Sequence, residues 1–188
     1  IEGGTSRSWQ RTRAFMLRHE SAWHELMGRL ARSVSRYLCA QLDAGAQAVQ
    51  LFDSWVGCLG PADYVRYVAP HARAALEAAS RRAPVIHFAT GNPALLPHLA
   101  AAGGSVIGID WRIDLLDAWR MVGADRAVQG NLDPTILLAD RATVRRRTRD
   151  LLDAVAGRPG HIFNLGHGVL PETPVENVLE LIAAARGE

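Results

Sequence analysis

The sequence predicts an α/β protein in which five short apolar strands alternate with helices. Strands that are separated by helices form a parallel sheet covered by helices, because each helix carries the chain back to the same end of the sheet. The chain has 188 residues, of which 48% are hydrophobic and 21% are charged. That composition is typical of a globular chain and supplies one ordinary hydrophobic core.

Two helices are predicted before the first strand, at 8–18 and 20–44. The second places Trp23, Leu26 and Leu30 on one face at helical spacing, which indicates a buried stripe. Gly45 is a typical helix stop. Short apolar runs bounded by turn residues then predict the strands. The predicted strands are 48–52, 84–88, 105–109, 126–129 and 161–164.

Proline and glycine mark the ends of the later helices. Pro61 is expected to open a helix that runs to Arg81, with a kink or break at Pro70, because proline starts helices and interrupts their interiors. The remaining predicted helices are 93–102, 115–122, 135–138, 140–156 and 174–186.

Two architectures fit this alternation: an open doubly wound sheet and a (β/α)8 barrel. An open sheet that binds dinucleotides is expected to carry GxGxxG after a strand, and the sequence has none. A barrel needs eight strands, so this interpretation predicts that only about the last five βα units are present and about three lie upstream. The opening Ile1-Glu2-Gly3-Gly4, without an initiator Met, agrees with that expectation.

Charge and cysteine content exclude several function classes. The net charge is +2, and the densest basic run, 141–149, is expected to be a solvated helix face, so no nucleic-acid partner is predicted. Cys39 and Cys58 form neither CxxC nor a metal-ligand spacing, which fits a reducing cytoplasm. No apolar run approaches the about 18 residues of a membrane span, so no membrane partner is predicted.

Polar residues or glycines follow every predicted strand, and in barrels the chemistry lies at these carboxyl ends. The segments that follow the strands are Asp53-Ser54-Trp55, Ala89-Thr90-Gly91-Asn92, Asp110-Trp111-Arg112, 129–134 (QGNLDP) and 164–168 (NLGHG). His167 lies between two glycines, which leaves it poorly placed for core packing and lets the backbone approach a ligand. We therefore expect His167 to be functional.

The other strand-end residues also have structural interpretations. Asp53 and Ser54 are able to cap the turn that follows them. Asp110 is a candidate ion-pair partner for Arg112 or Arg126. Asn131 is placed to satisfy backbone groups in its loop, and Asp133 before a proline is typical of a helix N-cap. Both alternatives stay open for each position.

Four of these motifs, in this order and spacing, resemble uroporphyrinogen decarboxylases. They are 52–55 (FDSW), 108–111 (GIDW), 129–134 (QGNLDP) and 164–168 (NLGHG). The segments 1–4 and 171–174 resemble the same family, and the likeness covers essentially the whole chain. It implies that residues 1–188 form the C-terminal part of a single TIM (β/α)8 barrel domain, which is cytoplasmic and homodimeric when full length.

The resemblance also implies an activity. The family converts the four acetate side chains of uroporphyrinogen III to methyl groups, giving coproporphyrinogen III for haem biosynthesis, without a metal or organic cofactor. Ser54 and His167 match residues expected to hydrogen-bond the substrate carboxylates. The Asp and Arg groups that meet the pyrroles lie upstream of Ile1, so no catalytic residue is assigned here, and this chain alone is expected to be inactive.

Two other interpretations compete with this one. Zinc-dependent methyltransferases on the same barrel carry His-x-Cys at a strand end, and the matching stretch here is His87-Phe88-Ala89. Ala89 occupies the cysteine position, and no cysteine follows Cys58, so thiolate ligation of zinc is not expected. The other rival is a half-barrel without enzymatic activity, whose open sheet edges would favour aggregation.

Overall fold

The computed structural model describes residues 1–188, which divide into two compact units, Ile1–Ser105 and Val106–Glu188. Both units alternate strands with helices, so the predicted α/β class is confirmed. The five strands found are the five that the sequence predicts. None of the helices combines the length and the apolar character that crossing a bilayer requires.

The first unit contains two strands and five helices. Its strands are β1 (Val49–Asp53) and β2 (Val85–Ala89), and its helices are α1 (Gln10–Arg18), α2 (Glu20–Asp43), α3 (Pro61–Tyr67), α4 (Ala69–Ser80) and α5 (Leu96–Ala102). One-turn 3-10 helices at Val56–Cys58 and Pro93–Leu95 follow the two strands. The strands pair in parallel, as the intervening helices require.

Strands and helices of the first unit share one apolar layer. Val49 and Val85 pack with Leu38 of α2 and with Leu76 and Ala79 of α4, and Leu51 lies against the same cluster. Side chains alternate between the two faces of a strand, so Val49, Leu51 and Asp53 all project towards these helices. Phe52 projects from the opposite face, where its ring meets the edge of the Phe88 ring.

Pro70 breaks the predicted helix 61–81 into two. The break lies at Val68, whose ψ of −50° accompanies a φ of −123°, and α4 then begins at Ala69 with the proline in its first turn. A proline at this place lacks only an N–H that has no partner within the helix, so it starts a helix without loss. The sequence pattern therefore located the interruption correctly.

The second unit contains three strands and three helices. Its strands are β3 (Val106–Gly108), β4 (Ala127–Leu132) and β5 (His161–Leu165), and its helices are α6 (Leu115–Val122), α7 (Arg141–Ala154) and α8 (Val175–Arg186). A 3-10 helix covers Pro134–Leu138. β4 pairs in parallel with β3 on one side and with β5 on the other.

The strand β4 is longer than the sequence predicts. It runs to Leu132 rather than to residue 129, because Gly130, Asn131 and Leu132 continue the pairing with Phe163, Asn164 and Leu165 of β5. Glycine and asparagine are disfavoured in strands, and that bias ended the predicted strand too early. Asn131 is consequently a buried residue within a strand rather than a loop residue.

The core of the second unit lies between β4, β5 and their helices. Leu132, Leu137 and Val144 form its buried centre, against which Phe163 and Leu165 of β5 and Val178 and Leu181 of α8 pack. Another stripe of α8 is apolar and exposed, at Val175, Leu179 and Ile182. The basic run on α7 is largely exposed, as predicted, although Arg145 forms an ion pair with Glu180.

Candidate functional site

The loop after β1 carries Ser54, the first predicted substrate contact. The Ser54 side chain is half-buried, and its backbone carbonyl accepts a hydrogen bond of 2.6 Å from the hydroxyl of Thr90, which follows β2. The 3-10 helix that follows has Trp55 as its N-cap and no side-chain capping hydrogen bond, so neither Asp53 nor Ser54 caps it. The loop is instead held from the neighbouring strand.

Gly57 lets the two loops of the first unit touch backbone to backbone. A Cβ atom built at Gly57 would lie 2.0 Å from the carbonyl oxygen of Thr90, far inside van der Waals contact. Asn92 adds a second link, because its side-chain amide donates to the carbonyl of Leu59 while its side-chain oxygen caps the N–H of Ala94. Ser54 therefore lies on a segment anchored at both of its ends.

Two indoles flank the same segment. Trp55 is 68% exposed, and its ring lies 5.3 Å from that of Trp9, centroid to centroid, at an interplanar angle of 43°. Trp9 thus packs against part of the Trp55 ring, most of which stays exposed. An open aromatic face beside a serine hydroxyl is suited to an extended organic ligand with polar substituents.

Asp110 begins the corresponding loop of the second unit, after β3. Its carboxylate accepts hydrogen bonds from the backbone N–H of Arg112 at 3.0 Å and from the Arg112 guanidinium at 2.6 Å. The guanidinium carbon lies 3.9 Å from the centroid of the Trp111 ring, a cation–π arrangement. The ion-pair interpretation of Asp110 is confirmed, with Arg112 as the partner.

Asn131 and Asp133 have the structural roles that the sequence allowed. The Asn131 amide donates to the carbonyls of Asp110 and Ile113, at 2.9 and 2.7 Å, and so ties β4 to the loop after β3. Asp133 accepts a hydrogen bond from the N–H of Thr135 and caps the 3-10 helix that begins at Pro134. Both side chains thus hold nearby backbone groups in place.

His167 is exposed in the loop after β5, with its ring edge-on to Trp111 at a centroid distance of 6.0 Å. Its Nδ1 accepts a 2.8 Å hydrogen bond from the backbone N–H of Gly168. A ring that accepts at Nδ1 carries its proton on Nε2. His167 therefore presents an N–H donor, the group needed to bind a carboxylate.

Gly166 sets the position of that loop. A Cβ there would lie 2.5 Å from the backbone nitrogen of Trp111, so only glycine lets the loop after β5 approach the loop after β3 this closely. Gly168 has no atom within 4 Å of its hypothetical Cβ. The two glycines beside His167 thus differ: the first is required by packing, and the second is not.

The roles of Thr90, Gly57 and His87 were not predicted from the sequence. Thr90 and Gly57 act through backbone contacts between loops that are distant along the chain, which no local pattern reveals. His87 is wholly buried within β2, and its Nε2 lies 3.9 Å from the Asp53 carboxylate. The sequence signals for His87 were a titratable residue inside an otherwise apolar strand and its place in the stretch His87-Phe88-Ala89.

Comparison with known proteins agrees with these motifs. The family model described as uroporphyrinogen decarboxylase (URO-D) matches residues 1–187. The chain belongs to the uroporphyrinogen decarboxylase family. It is 51% identical over 183 residues to the uroporphyrinogen decarboxylase of Carboxydothermus hydrogenoformans, covering 97% of this chain and 52% of that protein. It is 53% identical over 183 residues to that of Sorangium cellulosum, with the same coverage.

The chain matches only part of the length of each relative. The chain spans about half the length of the curated relatives it matches, including 54% of the protein from Roseiflexus sp., to which it is 52% identical. Among solved structures, a methyltransferase from Methanosarcina mazei superposes with a TM-score of 0.73 at 19% identity, covering 84% of this chain and 47% of that one. At that identity the likeness concerns the fold alone.

Proposed function

We propose that this chain is the C-terminal part of a TIM (β/α)8 barrel, a single domain, that decarboxylates uroporphyrinogen III to coproporphyrinogen III. The observation that carries the proposal is the identity of about 50% to proteins of that name over nearly the whole chain. As a carboxy-lyase, the intact protein would work without a metal or organic cofactor, as a cytoplasmic homodimer in haem biosynthesis.

The reaction sets clear demands on the protein. At each acetate the bond between the methylene carbon and the carboxylate breaks, CO2 leaves, and the electron pair passes into a protonated pyrrole ring. A proton added to the methylene carbon then completes the methyl group, and loss of the extra proton from the ring carbon restores the neutral pyrrole. The protein has to hold a flexible polyanion in place and stabilise positive charge in the ring.

Ser54 and His167 supply binding in this proposal rather than the electron sink. The half-buried Ser54 hydroxyl and the Nε2–H of His167 each donate a hydrogen bond to a substrate carboxylate. A hydrogen bond to a charged group contributes about 1.5–3 kcal/mol. Loss of either donor should therefore raise KM more than it lowers kcat.

The activity is tested by anaerobic incubation of uroporphyrinogen III with this 188-residue chain and with the intact protein, followed by chromatography of the oxidised products. The intact protein should yield coproporphyrinogen, and this chain alone should yield none. Absence of product from the intact protein would refute the proposed function. Product from the short chain would refute only the claim that it is incomplete.

The two binding roles are tested by Ser54→Ala and His167→Gln in the intact protein, with Ser80→Ala and His98→Gln as matched controls. Ser80 is exposed at the end of α4, and His98 lies on α5. Each site variant should raise KM about tenfold, the equivalent of one charge-assisted hydrogen bond, while the controls leave KM unchanged. Equal KM values for site and control variants would remove both residues from the binding site.

A further inference from the structure

The helix α8 has one flank that the rest of the second unit leaves exposed, and this flank is apolar. Val175, Leu179 and Ile182 are spaced by four and three residues, so they form a single line along the helix. Their exposed fractions are 68%, 60% and 38%. The neighbouring helix α7 exposes no large apolar side chain and presents mainly arginine and aspartate to solvent. The apolar flank of α8 therefore marks an interaction surface rather than an ordinary helix face.

The rotation of α8 about its axis is fixed, so the apolar flank is not free to turn into the core. The Asn177 side chain is buried, and its amide donates to two backbone carbonyls at the end of the 3-10 helix, at 2.8 Å each. Glu180 forms an ion pair with Arg145 of α7. At about 100° per residue, Asn177 and Glu180 lie about 200° and 140° around the helix from Val175. The flank that α7 holds is thus nearly opposite the apolar one.

The strand β5, which precedes α8, lacks a neighbour on one edge. β4 pairs with both β3 and β5, whereas β5 pairs with β4 alone. Every residue of β4 from Val128 to Leu132 is buried, while β5 alternates between partly buried and exposed residues. Ile162 of β5 is 42% exposed. Strands of a parallel sheet are normally buried on both faces, so β5 has the exposure of an edge strand.

The free edge of β5 and the apolar flank of α8 face the same way. The helix α7 contacts both β4 and α8, so β4 and α7 lie on one side of the β5–α8 pair and the open side is the other. A strand followed by a helix fits both features at once. The strand continues the parallel pairing, and the helix packs its side chains against the apolar flank.

We propose that the edge of β5 and the apolar flank of α8 bind a strand–helix unit from the half of the protein that this chain lacks. The proposal rests on the proposed function, which makes this chain the C-terminal part of a longer protein. The chain covers 52% and 54% of the relatives from Carboxydothermus hydrogenoformans and Roseiflexus sp., so a partner of similar size belongs to the same protein.

The direction of the strands favours this occupant over a second copy of the chain. The strands β3, β4 and β5 pair in parallel, and a further parallel strand continues that order. A second copy related by a two-fold axis would set β5 against β5 in the antiparallel sense, which would break the order. Purely parallel sheets are over-represented among known folds.

Hydroxyl-radical footprinting of the intact protein measures whether the flank is covered. Leu138 is the matched control, because it is a leucine of the same unit with an exposed fraction of 48%, against 60% for Leu179. Without an occupant Leu179 would be oxidised at least as fast as Leu138. With the occupant in place, packing excludes water, and Leu179 should be oxidised at least about fivefold more slowly than Leu138.

Two results of the footprint would overturn the proposal. One is oxidation of Leu179 at the rate of Leu138 or faster, which would leave the flank in solvent. The other is protection of Leu179 that disappears on dilution, which would make a second copy of the protein the occupant. A unit of the same chain protects Leu179 equally at all protein concentrations.

Substitution tests the same contact through stability. In the intact protein, Leu179→Glu sets a carboxylate into an apolar contact and should lower Tm by about 5 °C or more. Leu138→Glu alters a side chain that stays in solvent and should lower Tm by less than about 1 °C. Equal Tm values for the two variants would overturn the proposal. If Leu179→Glu fails to fold, the footprint of the wild-type protein remains decisive.

The proposed function and the docking of the missing half fail separately. An intact protein that protects Leu179 but lacks decarboxylase activity would refute the proposed function and leave the docking in place. An active protein in which Leu179 is as exposed as Leu138 would refute the docking on α8 and leave the proposed function intact.

Discussion

Asp53 and Asp110 occupy equivalent places, each at or just after the end of a strand, yet their carboxylates are stabilised in opposite ways. The Asp110 carboxylate accepts hydrogen bonds from the backbone and the side chain of Arg112, two residues further along the chain. Asp53 has only His87, on the neighbouring strand and at a distance too long for a hydrogen bond. The first arrangement folds locally, whereas the second depends on the pairing of β1 with β2.

Alanine in place of glycine should destabilise the loops around these aspartates to different extents. Gly57→Ala drives a Cβ against the Thr90 carbonyl, so we expect a loss of about 3 kcal/mol or more in the free energy of unfolding. Gly166→Ala, with a Cβ at 2.5 Å from the Trp111 nitrogen, should cost somewhat less, about 2 kcal/mol. Urea unfolding curves measure both losses.

Two glycines without neighbours serve as controls for these substitutions. Gly60 and Gly168 have no atom within 4 Å of a hypothetical Cβ, so alanine there should cost less than about 1 kcal/mol. If Gly57→Ala and Gly60→Ala unfolded at the same urea concentration, the loop after β1 would have to be free to move away from Thr90.

Asn131 in β4 and Asn92 in the loop after β2 allow a comparison at matched chemistry. Asn131 is buried and donates to two carbonyls, so Asn131→Asp sets a carboxylate against two acceptors and should cost about 3 kcal/mol. Asn92→Asp keeps the cap on Ala94 and loses only the bond to Leu59, at about 1 kcal/mol. Equal losses of unfolding free energy in the two variants, measured by thermal or urea unfolding, would contradict the expectation that the buried Asn131 matters more.

The local character of the Asp110 pair predicts an intermediate effect. Arg112→Ala removes the guanidinium from a buried carboxylate and from the Trp111 face, but the backbone N–H of residue 112 remains, so we expect a loss of about 2 kcal/mol. Arg120→Ala breaks an exposed pair with Asp117 and should cost less than about 0.5 kcal/mol. If both variants unfolded at the same midpoint, the Asp110 carboxylate would behave as a solvent-exposed group, like Asp117.

The smallest expected effect is a dependence of the folding stability on pH, which arises from a pair of histidines in the first unit. The Nε2 atom of His71 lies 2.8 Å from the Nδ1 atom of His24, and burial and the neighbouring ring lower the pKa of His71. A lowered pKa in the folded state means that the unfolded chain binds the proton more tightly. The stability contributed by neutral His71 is thus complete above its ordinary pKa of about 6.5 and declines as pH falls below it.

Thermal unfolding at pH 8 and at pH 5 measures this contribution. The wild-type Tm should be lower at pH 5 than at pH 8. The difference in Tm should be smaller for His71→Gln, because this variant lacks the group whose protonation opposes folding. His98→Gln is the control and should keep the full slope. A His71→Gln variant with the wild-type slope would show that other groups set the pH dependence.

Much of this fold was predictable because its signals are local. Pro70 and Gly45 indicated helix ends, and the five strands were recognisable as short apolar runs between turn residues. Asp133 before Pro134 correctly predicted a cap. β4 was predicted too short, because Gly130 and Asn131 argue against a strand by propensity, while their pairing with β5 decides the outcome.

The candidate site was predictable only in part. Ser54 and His167 were identified by motif resemblance, and their binding roles remain predictions. The contacts that hold their loops, Thr90 with Ser54 and Gly166 against Trp111, join residues 36 and about 55 positions apart in sequence. A turn cap was one of two interpretations of Asp53, yet strand alternation turns its side chain towards the helices and His87. Such partners are set by register, which a single sequence does not contain.

The contact between Trp9 and Trp55 gives the Ser54 loop an optical signal of its own. Two indoles at 5.3 Å and a 43° tilt are close enough for their excited states to couple, which produces a paired band in circular dichroism. Because Trp55 is largely exposed, a ligand that binds against the loop would change its fluorescence and disturb that band. The protein thus carries a chromophore pair next to Ser54, and the proposed binding role of this loop can be tested by spectroscopy without a dye or label.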